Sequence, residues 1–234
     1  MKNKVVLIIL FILPIVTYLI FASAKHNSLF LPTLSENNTE IPNDWTTLSG
    51  EKVLLKDKIS VVGFTGLDMI AFKANMFNLN QKIYNKYYGF EDFQIVMFAP
   101  DGKQDEIQKI VSEIDRITED MKGWKFVFAK PEAIQSFYDS YKLTNNLQED
   151  LGTPNVIILD KNINHRGRKG KNKKGVDEYR DSYNSASAAD LHNEMTDDVK
   201  IILREYRLAL KKNKRKDDFK DNIVNKVEQS SQTK

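Results

Sequence analysis

A chain of 234 residues, 41% apolar and 29% charged, suits one ordinary domain with its own core. Its net charge of +3 supplies no global field for nucleic acid, so any electrostatic contact must be local, and no nucleic acid is expected as a partner of a domain held outside the cytoplasm. The absence of cysteine excludes disulfides, thiolate metal sites, a thiol nucleophile, dithiol redox chemistry and cysteine lipidation.

The chain opens with Lys2 and Lys4, then runs uncharged from Val5 to Ala24. A helix of that length rises about 30 Å, the thickness of the bilayer hydrocarbon. Residues 1–25 therefore read as a single-pass membrane anchor. The alternative is a signal peptide cut after Ala24, at the small-x-small triplet Ala22-Ser23-Ala24, which would give a secreted protein. The run is longer than a usual signal core of about 7–15 residues, which favours the anchor. The two lysines place the N-terminus in the cytoplasm and the rest of the chain on the periplasmic or extracytoplasmic side of the inner membrane. Residues 26–50, rich in Asn, Ser, Thr and Pro without a period, read as a linker.

Ile59–Phe64 is β-branched and uncharged, which predicts a buried strand. Residues 68–88 predict a helix, with Phe72, Met76, Leu79, Ile83 and Tyr87 on one face and Gly89 as its stop. A strand at Phe93–Phe98, a turn at residues 99–102 and a helix over 103–121 follow, the helix facing inward with Ile107, Ile110, Val111, Ile114, Ile117 and Met121. Trp124–Phe128 is a third strand, and Pro131 opens a helix to Tyr141. Val156–Leu159 is a fourth strand, turning through residues 160–162 into a fifth from Ile163 to about Arg168. Residues 188–212 predict the last helix, with Val199, Ile202, Leu203, Tyr206 and Leu210 inward, and a charged tail occupies 213–234. The order βαβαβαββα over residues 51–212 predicts an α/β domain with a mainly parallel sheet and an antiparallel edge.

This order resembles the thioredoxin superfamily, and two stretches sharpen the resemblance. "GTPNVIILDKNINHRGRKGKN" is similar to the segment in which Gly-x-Pro precedes a strand ending in Asp. The resemblance implies a cis bond at Thr153-Pro154, facing the functional corner. "GFTGLDMIAFKANM" is similar to the Sco/SenC pattern Gly-Tyr-Thr-His-Cys-Pro-Asp-x-Cys-Pro, with Gly63, Phe64 and Thr65 in place. Sco proteins are membrane-anchored and deliver copper to cytochrome oxidase through two cysteines and a histidine. Here Leu67 and Ala71 stand at the cysteine positions, and the histidine position falls near Gly152. Leucine, alanine and glycine offer copper no soft ligand, so no cofactor is expected. Met69 and Met76 alone make an incomplete thioether set. Leu67 and Ala71 read as helix-start packing, or else as part of a partner-binding corner formed by Thr65, Gly66, Asp68, Thr153 and Pro154 with the redox chemistry gone.

The remaining candidates are weaker. Asp190, His192 and Glu194 do not share a helix face as a trio, so they read as exposed polarity rather than a metal site. No Gly-x-Ser-x-Gly corner, Walker loop or Gly-x-Gly-x-x-Gly occurs. Arg166, Arg168, Lys169, Lys171, Lys173 and Lys174 form a basic run that suits anionic lipid or an acidic partner, unless the acidic residues of "DEYRDSYNSASAAD" fold back on it. The preferred reading is a non-catalytic, membrane-anchored interaction or assembly protein of the cell envelope, with respiratory-complex subunits as partners by family analogy. The alternatives are an adaptor working through loop 166–174 and an enzyme of unidentified type.

Overall fold

The computed structural model describes residues 10–19, 30–172 and 175–210. Three strands make its centre: β3 (Ile59–Thr65), β4 (Phe93–Pro100) and β5 (Trp124–Ala129). They run parallel in the order β3-β4-β5. Every residue of β3 and β4 is buried, as expected of strands covered on both faces. β6 (Gly152–Leu159) joins the other side of β3 antiparallel, and β7 (His165–Arg166) pairs with β6. The α/β expectation holds, but the sheet is not mainly parallel: only β3, β4 and β5 run parallel, and β6, which follows a loop after the helix at 131–140 rather than a parallel crossover, enters antiparallel beside β3.

Side chains alternate between the two faces with the two-residue period of a strand. Ile59 and Val61 face a cluster with α1 (Met69–Leu79), α2 (Gln104–Asp115) and the last helix. Val62 and Phe64 face another, with Ile134, Phe137 and Tyr138 of α3 (Pro131–Ser140). A π-helical turn, Asn80–Tyr84, and the helical Asn85–Tyr87 prolong α1. The wider turn is supported by Asn80, which donates to Thr118 Oγ1 and accepts from Trp124 Nε1.

Four expectations need correction. Residues 30–50 are not a bare linker: β1 (Thr33–Ser35) pairs with β7 and β2 (Thr46–Thr47) with β5, so this stretch supplies both rims of the main sheet. Leu31 and Ile41 are buried and anchor it. Ile163 does not begin the fifth strand; it is buried in a left-handed turn at φ 63°, and pairing starts at His165. α2 stops at Asp115, which leaves Ile117 50% exposed. Leu210 stands beyond the end of the core and is 60% exposed.

Residues 10–19 are helical, and among the described residues no helix is long and apolar enough to cross a membrane. The rest of the apolar run, residues 5–9 and 20–24, lies outside the described residues, as does the tail 213–234.

Candidate functional site

The corner where β3 feeds α1 is built from two backbones in contact. Thr65 pairs with Gly152, and Phe64 with Thr153, across the β3–β6 ladder. Gly66 then takes φ 65°, a left-handed conformation open to glycine at little cost. The Asp150 carboxylate pins the turn: Oδ2 accepts from the N–H groups of Leu67 at 3.3 Å and Asp68 at 3.2 Å, and Oδ1 from Gly152 N–H at 2.9 Å. Asp68 caps α1, accepting from Ile70 and Ala71 N–H at 3.0 and 3.1 Å. Both carboxylates of the corner are thus engaged by backbone amides.

The structure brings Thr65, Gly66, Leu67, Asp68, Gly152 and Thr153 together, as the corner reading requires. It does not support the packing reading of Leu67 and Ala71. Leu67 is 49% exposed and Ala71 is also exposed. Phe72, Met76 and Leu79 supply the buried stripe of α1, which turns positions 67 and 71 away from the core. Ile70, at 86%, is more exposed still, and Phe77 continues the same side at 47%. The corner therefore presents an apolar surface formed by Leu67, Ile70, Ala71, Ala74 and Phe77. Ile70 and Asp150 escaped the motif comparison. The outward phase of residues 70, 74 and 77 against the stripe 72, 76 and 79 was the available signal for Ile70.

The Thr153-Pro154 bond is trans, since no described peptide bond is cis, and the family expectation fails there. Pro154 lacks an N–H for the ladder, and the β3–β6 register shifts between Val62 and Phe64, opposite it. Its carbonyl accepts instead from Ser185 N–H at 2.8 Å and Ser185 Oγ at 2.6 Å. Of the two methionines at the corner, Met76 is fully buried and Met69 is partly buried against the core.

The basic run is only partly a free patch. Arg166 is 8% exposed. Its Nη1 donates to Asp160 Oδ2 at 3.0 Å, its Nη2 to Glu205 Oε2 at 2.7 Å and its Nε to the Leu31 carbonyl at 2.9 Å. Arg168 meets Asp198 at 2.7 Å and Glu178 at 3.1 Å, and also pairs with Glu194. Burial works against both guanidinium charges, but the carboxylates outweigh it and raise both pKa values. Burial likewise pushes up Asp198, which accepts from Tyr183 Oη at 2.5 Å. The acidic segment does fold back: β8 (Arg168–Lys171) pairs with β9 (Asp177–Arg180). Lys169 and Lys171 remain exposed, and Lys173 and Lys174 lie outside the described residues. Asp190 is taken by Arg180 and Glu194 by Arg168, and His192 is exposed beside them. His165 is buried, with Nε2–H donating to the Asp181 carbonyl at 2.6 Å. It lines a half-open cleft of about 300 Å³ with Leu34, Tyr141 and Asp181, which shares no residue with the corner.

No protein-family model matches the chain, and no curated protein matches it in sequence. Its fold does have solved counterparts. A SCO1/SenC family lipoprotein from Bacillus anthracis str. Ames superposes with TM-score 0.52 at 18% identity, over 75% of this chain and 99% of that one. BsSco, a member of the Sco family of cytochrome c oxidase assembly proteins, gives TM-score 0.51 at 15% identity, over 74% of this chain and 98% of that one. The fold is thioredoxin-like and similar to Sco/SenC structures. The chain lacks cysteine throughout, and leucine, alanine and glycine stand at the three expected ligand positions.

Proposed function

We propose that the protein is a non-catalytic, membrane-anchored interaction protein of the cell envelope, which uses the Sco-like corner as a docking surface. The observation that carries this reading is the outward apolar face Leu67, Ile70 and Phe77, at 49%, 86% and 47% exposure, on a corner whose backbone is fully braced. Its apolar side chains reward burial against a partner, and its rigidity keeps the ordering cost low. The chain supplies no thiolate for disulfide exchange. The run from Val5 to Ala24 provides the anchor in this reading, with the domain on the extracytoplasmic side of the inner membrane. Partners among respiratory-complex subunits are suggested by the assembly role stated for BsSco.

The test is affinity purification of the full chain from detergent-solubilised membranes, beside a Leu67→Ser/Ile70→Ser variant. Both side chains are exposed, so the variant should unfold at the wild-type temperature. Oxidase subunits should come down with the wild type and be lost with the variant. Equal recovery of the same subunits by both proteins would remove the corner from the interaction.

A further inference from the structure

Apart from the corner, one helix face is conspicuously without partners. The last helix, from residue 196 to 210, buries Val199, Ile202 and Leu203. Lys200, Arg204 and Arg207 point the other way, at the i, i+4 and i+7 spacing that aligns side chains on one helix face. All three are exposed, and among the described residues none forms an ion pair. Among the described residues, the other arginines in this half of the chain are paired: Arg166, Arg168 and Arg180 each hold one or more carboxylates. Glu205 of the same helix is already committed to Arg166 and to Leu31 N–H, which leaves Asp197, at its start, as the exposed acid near the stripe. In sequence, the basic series continues directly with Lys211, Lys212, Lys214, Arg215 and Lys216.

The position of this helix in the fold supplies the occupant. Leu31 N–H donates to Glu205 Oε1 at 2.8 Å, and the Leu31 carbonyl accepts from Arg166 Nε at 2.9 Å. The chain preceding the domain is therefore clamped to the second half of the last helix. Phe30 stands beside the clamp at 67% exposure, and Leu208 and Leu210 at the helix end are 45% and 60% exposed. Only residues 25–29 separate Phe30 from the apolar run that ends at Ala24. The six steps of chain from Ala24 to Phe30 span at most about 22 Å. An anchor in the bilayer keeps this end of the helix within that reach of the headgroups, and contact with them brings the stripe inside one Debye length, about 8 Å at physiological salt.

The geometry points to an anionic phospholipid surface as the ligand of this face: Lys200, Arg204 and Arg207 lie against the headgroups, with Leu208 and Phe30 at the interface. The inference rests on the anchored reading above. It moves lipid contact from loop 166–174, whose arginines are internally paired, to the helix beside the anchor. Unpaired cations next to a negative surface gain from its potential, and apolar side chains at the same level gain from leaving water. An acidic protein would satisfy the charges but not the short tether.

The absence of native cysteine makes a single introduced thiol a clean label. Full-length Leu208→Cys, carrying an environment-sensitive fluorophore, is reconstituted into phosphatidylcholine vesicles with and without phosphatidylglycerol. Asp105→Cys serves as a control label on an exposed residue of α2. The expected result is co-flotation with both vesicles and a blue shift at position 208 only with phosphatidylglycerol. High salt should reverse the shift, and the exposed triple substitution Lys200→Gln/Arg204→Gln/Arg207→Gln should abolish it. Co-flotation with no lipid-dependent shift would overturn this inference and leave the anchor standing. A shift that survives the triple substitution would overturn the assignment to this stripe. Failure to float with either vesicle would overturn the anchor, and this inference with it.

Discussion

Gly66 and Gly152 stand backbone to backbone: a Cβ built on Gly66 would fall 2.5 Å from Gly152 Cα. Gly66 also sits at φ 65°, so a side chain there meets both a strained backbone and a contact that only main-chain movement can relieve. At Gly152 the nearest atoms to an added Cβ are 3.1 Å away, and φ is unexceptional. Gly66→Ala should therefore cost roughly 3 kcal/mol or more and Gly152→Ala about 1 kcal/mol. Chemical denaturation of both variants checks the order; equal losses would mean that the corner yields more easily than its geometry implies.

Arg168 should behave as a half-buried cation that neutralises a buried acid rather than as a free surface charge. Asp198, 2% exposed, loses its guanidinium when Arg168 is removed. Arg168→Met should destabilise by about 3 kcal/mol, the lower end of what breaking a buried pair costs. Adding Asp198→Asn should recover part of that loss, because the stranded charge is then gone. A double-mutant cycle reads this coupling, and strict additivity would exclude it.

His165 gives the fold a mildly acid-sensitive step. Burial lowers its pKa below the ordinary 6.5, so the folded ring stays neutral where the unfolded chain takes up a proton. The unfolded state binds more protons in that window, so this contribution to stability is complete above pH 6.5 and declines as pH falls towards the folded pKa. Asp92, held low chiefly by its bond to Lys161, loses its contribution only in a more acid window, below 3.8. Unfolding temperatures between pH 7.5 and 5 should fall for the wild type and change less for His165→Gln, whose amide can still donate to the Asp181 carbonyl. Parallel curves would assign the acid sensitivity elsewhere.

Copper should find no tight one-to-one site at the corner. Met76 is committed to the core, and Met69 offers a lone, partly buried thioether beside Leu67 and Ala71. A competition titration with a Cu(I) chelator should give the same weak curve for wild type and Met69→Leu. A stoichiometric site lost with that substitution would show that the corner had acquired a new ligand set.

The parts of this architecture legible in the sequence are those with local periodicity. The β-branched runs of β3 and β6 and the stripe from Phe72 to Tyr87 state their structure within a few residues. The meeting of Thr65 with Gly152 followed once those elements were set in thioredoxin-like order. What stayed hidden depends on distant partners. Thr33 is recognisable as a strand residue only beside Arg166, and Thr46 only beside Phe128. The run containing Arg166 and Arg168 looks the same in sequence whether solvated or paired, because Asp198 and Glu205 lie some thirty to forty positions away. The phase of Leu67 was set by its neighbours on α1, not by the positions it inherits from a motif.

The two rims of the sheet have a consequence for how the chain emerges from the ribosome. β1 and β2 are synthesised before any other strand of the domain, yet β2 has no partner until Phe128 exists and β1 none until Arg166 exists. Such distant pairings close late, because the intervening chain must be ordered first. Each half of the first-made arm thus waits for its own partner, β2 for β5 and β1 for β7, before it can close its rim of the sheet. Because the rim strands are only three and two residues long, the finished sheet offers a neighbouring nascent chain little edge on which to add a strand.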